Sequence, residues 1–204
     1  MSIRADEERP GPEPSDGGPP DGELVARTVD GDLAAFDELV NRYQRRAVSA
    51  SYRLLGNIHD AAEVCQDAFL RAYQSIGTLK ERDRFGPWLM RIVSNLSLNY
   101  RRSRKAASRA GALPIDDVLR DDEASVPSTV EAALAPGGAG EMAEVVQKAI
   151  QELPDKQRLA LVLFAVEGWP QKDVAEILGC SLEAVKWNVF QARRTLKLKL
   201  AEYL

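Results

Sequence analysis

The sequence predicts an all-α protein made of two small helical domains joined by a flexible acidic linker. Three observations lead there. No stretch sustains the apolar–polar alternation of a strand, whereas apolar residues recur at spacings of three and four over long segments. Proline and glycine cut those segments into pieces of helical length. Charge and composition divide the chain of 204 residues into folded and unfolded parts. The expected boundaries are an acidic Pro/Gly-rich tail at 1–22, a domain at 23–106, a linker at 107–140 and a second domain at 141–204. Lys+Arg minus Asp+Glu over these four parts is −4, +4, −4 and 0, which accounts for the formal charge of −4.

In the first domain Asp32 is placed to cap a helix running to Leu55, with Gly56 just beyond it. Ala35, Phe36, Leu39, Val40, Tyr43, Ala47, Ala50 and Leu54 form its apolar stripe. A second helix is expected from Asp60 to Ile76, ending at Gly77, on the stripe Ala61, Val64, Cys65, Ala68, Phe69, Ala72 and Tyr73. The charged loop TLKERDRFG follows. Pro87 then suits the first turn of a third helix, where a missing N–H is harmless. That helix carries Trp88, Leu89, Ile92, Val93 and Leu96 and ends in Arg101, Arg102, Arg104 and Lys105.

In the second domain one helix is expected over Glu141–Leu153, stopped by Pro154. Asp155 is placed to cap the next, which ends near Gly168. Pro170 opens a short helix to Leu178, Gly179 and Cys180 form a turn, and Ser181 caps a last helix reaching almost to Leu204. The final two helices and their short glycine turn follow the helix-turn-helix plan. Ala175 is small where the helices must approach, and Val174, Ile177, Val185 and Val189 supply a shared core. The outer face then presents Glu183, Lys186, Trp187, Phe190, Gln191 and Arg194, which mixes phosphate binders with residues able to meet base edges. An ordinary helical hairpin with a solvated face is the bland alternative.

The third helix of the first domain carries a second signal. Asn95 and Asn99 lie one turn apart on a polar face, followed by the basic run, so amides could read bases while arginines hold phosphate. Phe85 and Trp88 are either core residues or platforms for unpaired bases.

Several classes are excluded or disfavoured. No apolar run approaches the roughly 20 residues of a membrane span, and the acidic N-terminus lacks the pattern of a secretory signal. A cytoplasmic protein is the expectation. Cys65, Cys180 and His59 make no standard zinc set, so no metal and no cofactor are expected, and both cysteines are read as small core residues. His59, beside Asn57 and Asp60, suits a helix start. No Gly-rich phosphate loop or nucleophile–base pair is present, so no catalytic residue is expected.

The stretches DLAAFDELVNRYQRRAVSASYRLLGNIHDAAEVCQDAFLRAYQSI and FGPWLMRIVSNLSLNYRRSRK, followed by LPDKQRLALVLFAVEGWPQKDVAEILGCSLEAVKWNVFQARRTLK, resemble domains two and four of the sigma-70 superfamily. The resemblance is to its small extracytoplasmic-function group, which keeps only those two domains. It implies an RNA polymerase subunit that reads −35 duplex with domain four and melted −10 DNA with domain two. By that match Asp60, Glu63, Gln66, Asp67, Leu70 and Arg71 face the clamp helices of the large polymerase subunit, and the implied partner is core polymerase through its large clamp subunit and flap. Asn95 and Asn99, with Arg82, Phe85, Arg101 and Arg102, take the −10 DNA; the loop Arg82–Phe85 matches one that traps a flipped base. Lys186, Trp187, Asn188, Phe190, Gln191 and Arg194 take the −35 DNA. An anti-sigma factor is the further partner that the resemblance allows. The chain departs from the family where a basic–Ser–Arg run is usual and Lys186–Trp187–Asn188 stands, at Gln191 where a basic residue is usual, and at Asn99 where aspartate is frequent. The competing reading is a stand-alone helix-turn-helix regulator whose first domain senses or dimerises.

Overall fold

The structure is a computed structural model that describes residues 18–109 and 141–201. Every regular element among these residues is helical. The first unit holds α1 (Asp21–Val29), α2 (Leu33–Leu55), α3 (Ile58–Ser75) and α4 (Phe85–Arg109). The second holds α5 (Glu141–Gln151), α6 (Asp155–Leu161), a π-helical turn (Val162–Val166), α7 (Gln171–Leu178) and α8 (Leu182–Leu200).

Local chemistry sets most of the ends. The Asp32 carboxylate accepts from Ala35 N at 3.3 Å, and α2 stops at Gly56, whose φ of 80° is a conformation that L side chains rarely adopt. Asn57 caps α3 by accepting from the backbone N–H of His59 and Asp60, so α3 starts two residues before the expected Asp60. Ser181 accepts from Ala184 N at the start of α8. Gly179, at φ 61°, turns the chain from α7 into α8. Asp155 does not cap as expected: Pro154 holds the cap position, and Asp155 is the first residue of α6. The helix beyond it changes to π geometry at Val162, where Glu167 N bonds back to Val162 O.

Helix α1 has no counterpart in the sequence reading, which gave Asp21 to the tail. It is anchored by Asp21, which accepts from Arg42 Nη1 at 2.6 Å and from the Tyr43 hydroxyl. Leu24 and Val25 insert into the core. Small residues let the helices of the first unit approach closely: Ala47 and Ala50 of α2 and Ala61, Ala68 and Ala72 of α3 are all buried. A buried polar thread crosses this contact, from Cys65 Sγ to Ser51 Oγ, on to Ser97 Oγ, and from there to Val93 O. In the second unit Val174, Ile177, Val185 and Val189 are buried together between α7 and α8.

The two units share one continuous core, in which Trp169 of the second unit is buried. Its ring lies so close to Gly86 that an added Cβ there would come within 2.9 Å of it. The Arg46 guanidinium stands over the indole, 5.9 Å from the ring centroid. Arg158 is the largest fully buried side chain. It donates to Ile150 O at 2.9 Å, to the carbonyls of Gln151 and Leu153, and across the units to Leu54 O at 3.2 Å. The carbonyl ends of α2 and α5 thus converge on one guanidinium, as their dipoles favour. Gln147 and Gln151 also donate to the last carbonyls of α2, at Tyr52 and Arg53. The expected linker lies outside the described residues except at 107–109, which continue α4, and the expected tail lies outside them at 1–17.

Candidate nucleic-acid interface

The cap at Ser181 and the buried Val185, Val189 and Ala192 fix which way α8 faces. Trp187 and Phe190 are therefore turned outward, at 56% and 62% exposure. Trp169, by contrast, is buried at 3% exposure. Glu183 and Arg194 are also exposed, while Lys186 and Gln191 are half-buried. Asn188 is half-buried too, and its Nδ2 donates to Ala184 O at 2.7 Å, one turn back on the same helix. The two rings place bulky apolar surface between the charged Lys186 and Arg194, where it is costly in water.

On α4, Leu89, Met90 and Val93 point into the core, so Asn95 and Asn99 emerge on the solvent side. Arg102 is exposed beyond them. Arg101 is not presented in the same way: it donates to Gln151 O at 3.1 Å and pairs with Asp155 of α6. In the loop before α4, Arg82 is exposed, but Phe85 is fully buried, edge-on to Tyr43 at 5.5 Å. This corrects Phe85 as a base-trapping residue: it is the hydrophobic peg that starts α4. Trp88 is half-buried behind it, 5.9 Å from the Phe85 ring.

On α3 the outer face carries Glu63, Gln66, Asp67, Leu70 and Arg71, with Leu70 at 56% exposure. Asp60 belongs elsewhere. It is 1% exposed, accepts from the Tyr100 hydroxyl at 2.7 Å and pairs with Arg104. It ties α3 to α4 and cannot also face a partner, so it leaves the docking set. The cysteines part as well. Cys65 is buried, and burial pushes its thiol up to about 12. Cys180 is exposed in the turn before α8, which corrects its reading as a core residue.

The sequence reading missed a cluster across the two units. Arg84 Nη2 donates to Asp173 Oδ1 at 2.7 Å and to Glu176, both on α7. Ser49 donates to Glu167 at 2.6 Å, and burial raises the Glu167 carboxyl above its ordinary range against the pull of nearby arginines. The i,i+3 spacing of Asp173 and Glu176 is the one sequence signal that pointed there.

The second unit thus presents exposed aromatic rings on α8, and the first presents amides on α4 and a separate apolar–acidic face on α3. Residues 39–107 match the Sigma-70 region 2 family and residues 143–196 match Sigma-70, region 4. The chain is 30% identical to the RNA polymerase sigma-H factor of Pseudomonas aeruginosa, over 90% of this chain and 95% of that one. It is also 30% identical to the ECF RNA polymerase sigma-E factor of Haemophilus influenzae, over 87% and 93%. The fold is like that of the sigma factor RpoE solved with the anti-sigma factor NepR from Bartonella quintana. That likeness has a TM-score of 0.61 and 23% identity, covering 81% of this chain and 96% of the other. The chain belongs to the sigma-70 family, in its extracytoplasmic-function group.

Proposed function

We propose that the chain, as the sigma subunit of RNA polymerase, reads −35 duplex with the outer face of α8 and captures melted −10 DNA with the solvent face of α4. Lys186 and Arg194 hold phosphates; Trp187, Phe190 and Gln191 meet base edges and the groove wall, with the Asn188 carbonyl beside them. Asn95 and Asn99 bond to bases of the −10 strand, with Arg82 and Arg102 on its backbone. The α3 face from Glu63 to Arg71 docks the clamp of the large subunit, and domain four docks the flap. Residues 23–106 and 141–204 act as the two reading domains, and the acidic 107–140 as the link between them. The phosphodiester chemistry belongs to the polymerase, and the chain itself is not an enzyme. It works in the cytoplasm. Among the described residues no helix is long and apolar enough to cross a membrane. An anti-sigma factor is proposed as a regulator, as one accompanies RpoE in the Bartonella quintana structure.

The observation that supports this reading most is the presence of both sigma regions, in order, on one chain. A stand-alone regulator needs no docking face such as that of α3. Transcription in vitro from a pool of promoters, with core polymerase and with or without the chain, tests it. Initiation from a distinct promoter set only when the chain is added is expected. Specific duplex binding without any effect on core would overturn it.

A further inference from the structure

We propose that the middle of the −35 element is A·T, and that the chain recognises it by thymine 5-methyl groups packed against the Trp187 and Phe190 rings. This deepens, and rests on, the assignment of α8 to −35 duplex. Neither ring has a packing duty, because Val185, Val189 and Ala192 fill the inner face of α8 without them. Both rings stand more than half in water, a cost that only a covering surface offsets. Lys186 and Arg194, on either side of the rings, complement phosphate, which makes that surface a nucleic acid.

The major groove offers such rings one apolar group. Thymine carries a 5-methyl there, whereas guanine, adenine and cytosine present hydrogen-bonding atoms. A ring face placed over those atoms strips their water and returns no hydrogen bond. The indole N–H adds a single donor at the ring edge, which any acceptor satisfies, so it does not choose between bases. The spacing agrees. Residues three apart on a helix are neighbours, and they are offset by about 4.5 Å along its axis, close to the roughly 3.4 Å between stacked base pairs. With α8 lying along the groove, the two rings span neighbouring base pairs and call for thymines at adjacent positions, on either strand. The polar side chains agree as well. Gln191, one turn beyond Trp187, carries an amide of the kind that pairs with adenine N6 and N7. Asn188 turns its amide nitrogen back to Ala184 O. The exposed side chains suited to G·C edges are Glu183, an acceptor for cytosine N4, and Arg194, a donor pair for guanine. They stand at the two ends of the face, with the rings between them.

The test uses the chain assembled with core polymerase, and duplex carrying the −35 element of a promoter at which the assembly initiates. Thymines are replaced one at a time by deoxyuridine, which removes the methyl and keeps every hydrogen-bonding atom. At the two positions under the rings, each replacement should weaken binding about fourfold, the equivalent of roughly 0.8 kcal/mol for one buried methyl-sized group. Trp187→Ser should abolish the penalty at one position and Phe190→Ser at the other, so that thymine and deoxyuridine bind alike there. Both variants should melt like the parent, since both rings are exposed. A G·C pair placed at either position should bind poorly to the parent, and 5-methylcytosine in that pair should recover part of the loss. Equal binding of thymine and deoxyuridine at every −35 position would overturn the proposal. So would a deoxyuridine penalty that both serine variants leave intact, or a preferred −35 element with G·C at its middle. An assembly that initiates with no dependence on −35 sequence would instead overturn the assignment of α8 on which the proposal rests.

Discussion

Trp187 lies on the outer face of α8, and its outward position determines what a substitution there does. With more than half of the side chain in water, Trp187→Ser removes little burial. It should change stability by about 0.5 kcal/mol, as for ordinary surface positions, instead of the ~3–5 kcal/mol of a truncated core aromatic. Its effect should appear in the preferred −35 sequence. A thermal melt paired with selection from a −35 library checks both halves, and a large loss of stability with unchanged preference would contradict the assignment. The two thiols give a second residue-scale prediction. Burial holds the Cys65 thiol near 12, so at pH 8 almost none of it is thiolate, and the side chain is also inaccessible. Cys180 is exposed. A thiol reagent should therefore modify one cysteine in the native chain and two after unfolding; mass spectrometry of the modified peptides should find Cys180 in the first case. Arg158 is the third residue of interest. Burial pulls its guanidinium down to about 10, still charged at neutral pH. Arg158→Ala would leave several helix-end carbonyls unpaired and should cost ~3 kcal/mol or more. Arg158→Lys should recover little, because a single ammonium cannot span carbonyls on α2, on α5 and after it. Denaturant titration of both variants decides this.

At the scale of elements, α3 and α4 each carry an outer face whose chemistry is separate from the packing beneath it. The inner face of α3 is Ala61, Val64, Cys65, Ala68 and Ala72, and none of these overlaps Asp67 or Leu70 outside. Asp67→Arg or Leu70→Glu should thus abolish co-purification with core polymerase while the circular dichroism melt stays unchanged. Retained co-purification would move the docking surface elsewhere. On α4, Asn95→Ala and Asn99→Ala remove outward amides only. Each lost bond to a base should cost about 1–3 kcal/mol, and the loss should fall on open-complex formation more than on closed-complex binding. Permanganate footprinting measures melting directly. Normal melting with weakened upstream contacts would reverse the division of labour between α4 and α8.

At the scale of the whole molecule, the two units are not beads on a string. They are joined by Trp169, by Arg158 and by the ion pairs of Arg84 and Arg101 into one core. A chain with a net charge of −4 can still act on DNA because its charge is distributed: a basic first unit is balanced by acidic segments and by a neutral second unit. Packing the units together brings acidic side chains of the second onto basic ones of the first.

The all-helical class, the helix-turn-helix and most helix ends were legible in the sequence because their causes are local. Asp32, Gly56, Gly179 and Ser181 act within a few residues of themselves. The stripe Val174, Ile177, Val185 and Val189 needed only helical periodicity to be placed inside. The outward faces of Asn95, Asn99, Asp67 and Leu70 follow from the same periodicity. Other features depend on which surfaces meet, and periodicity is silent on that. Phe85 looked available because it stands in a charged loop, yet Tyr43 and Trp88 enclose it. Asp60 looked like part of an acidic outer face until Tyr100 and Arg104, some forty residues on, folded over it. Cys180 had apolar sequence neighbours, but the turn carries it outward. Helix α1 was hidden by its polar start, because its anchor is the distant pair Arg42 and Tyr43. The clamp on Arg84 and Arg101 joins residues 54 to 92 positions apart. Local sequence chose the helices and their faces; long-range contact alone chose which faces became interior and which charges were paired, because burial and ion pairing belong to surfaces that the chain brings together only on folding.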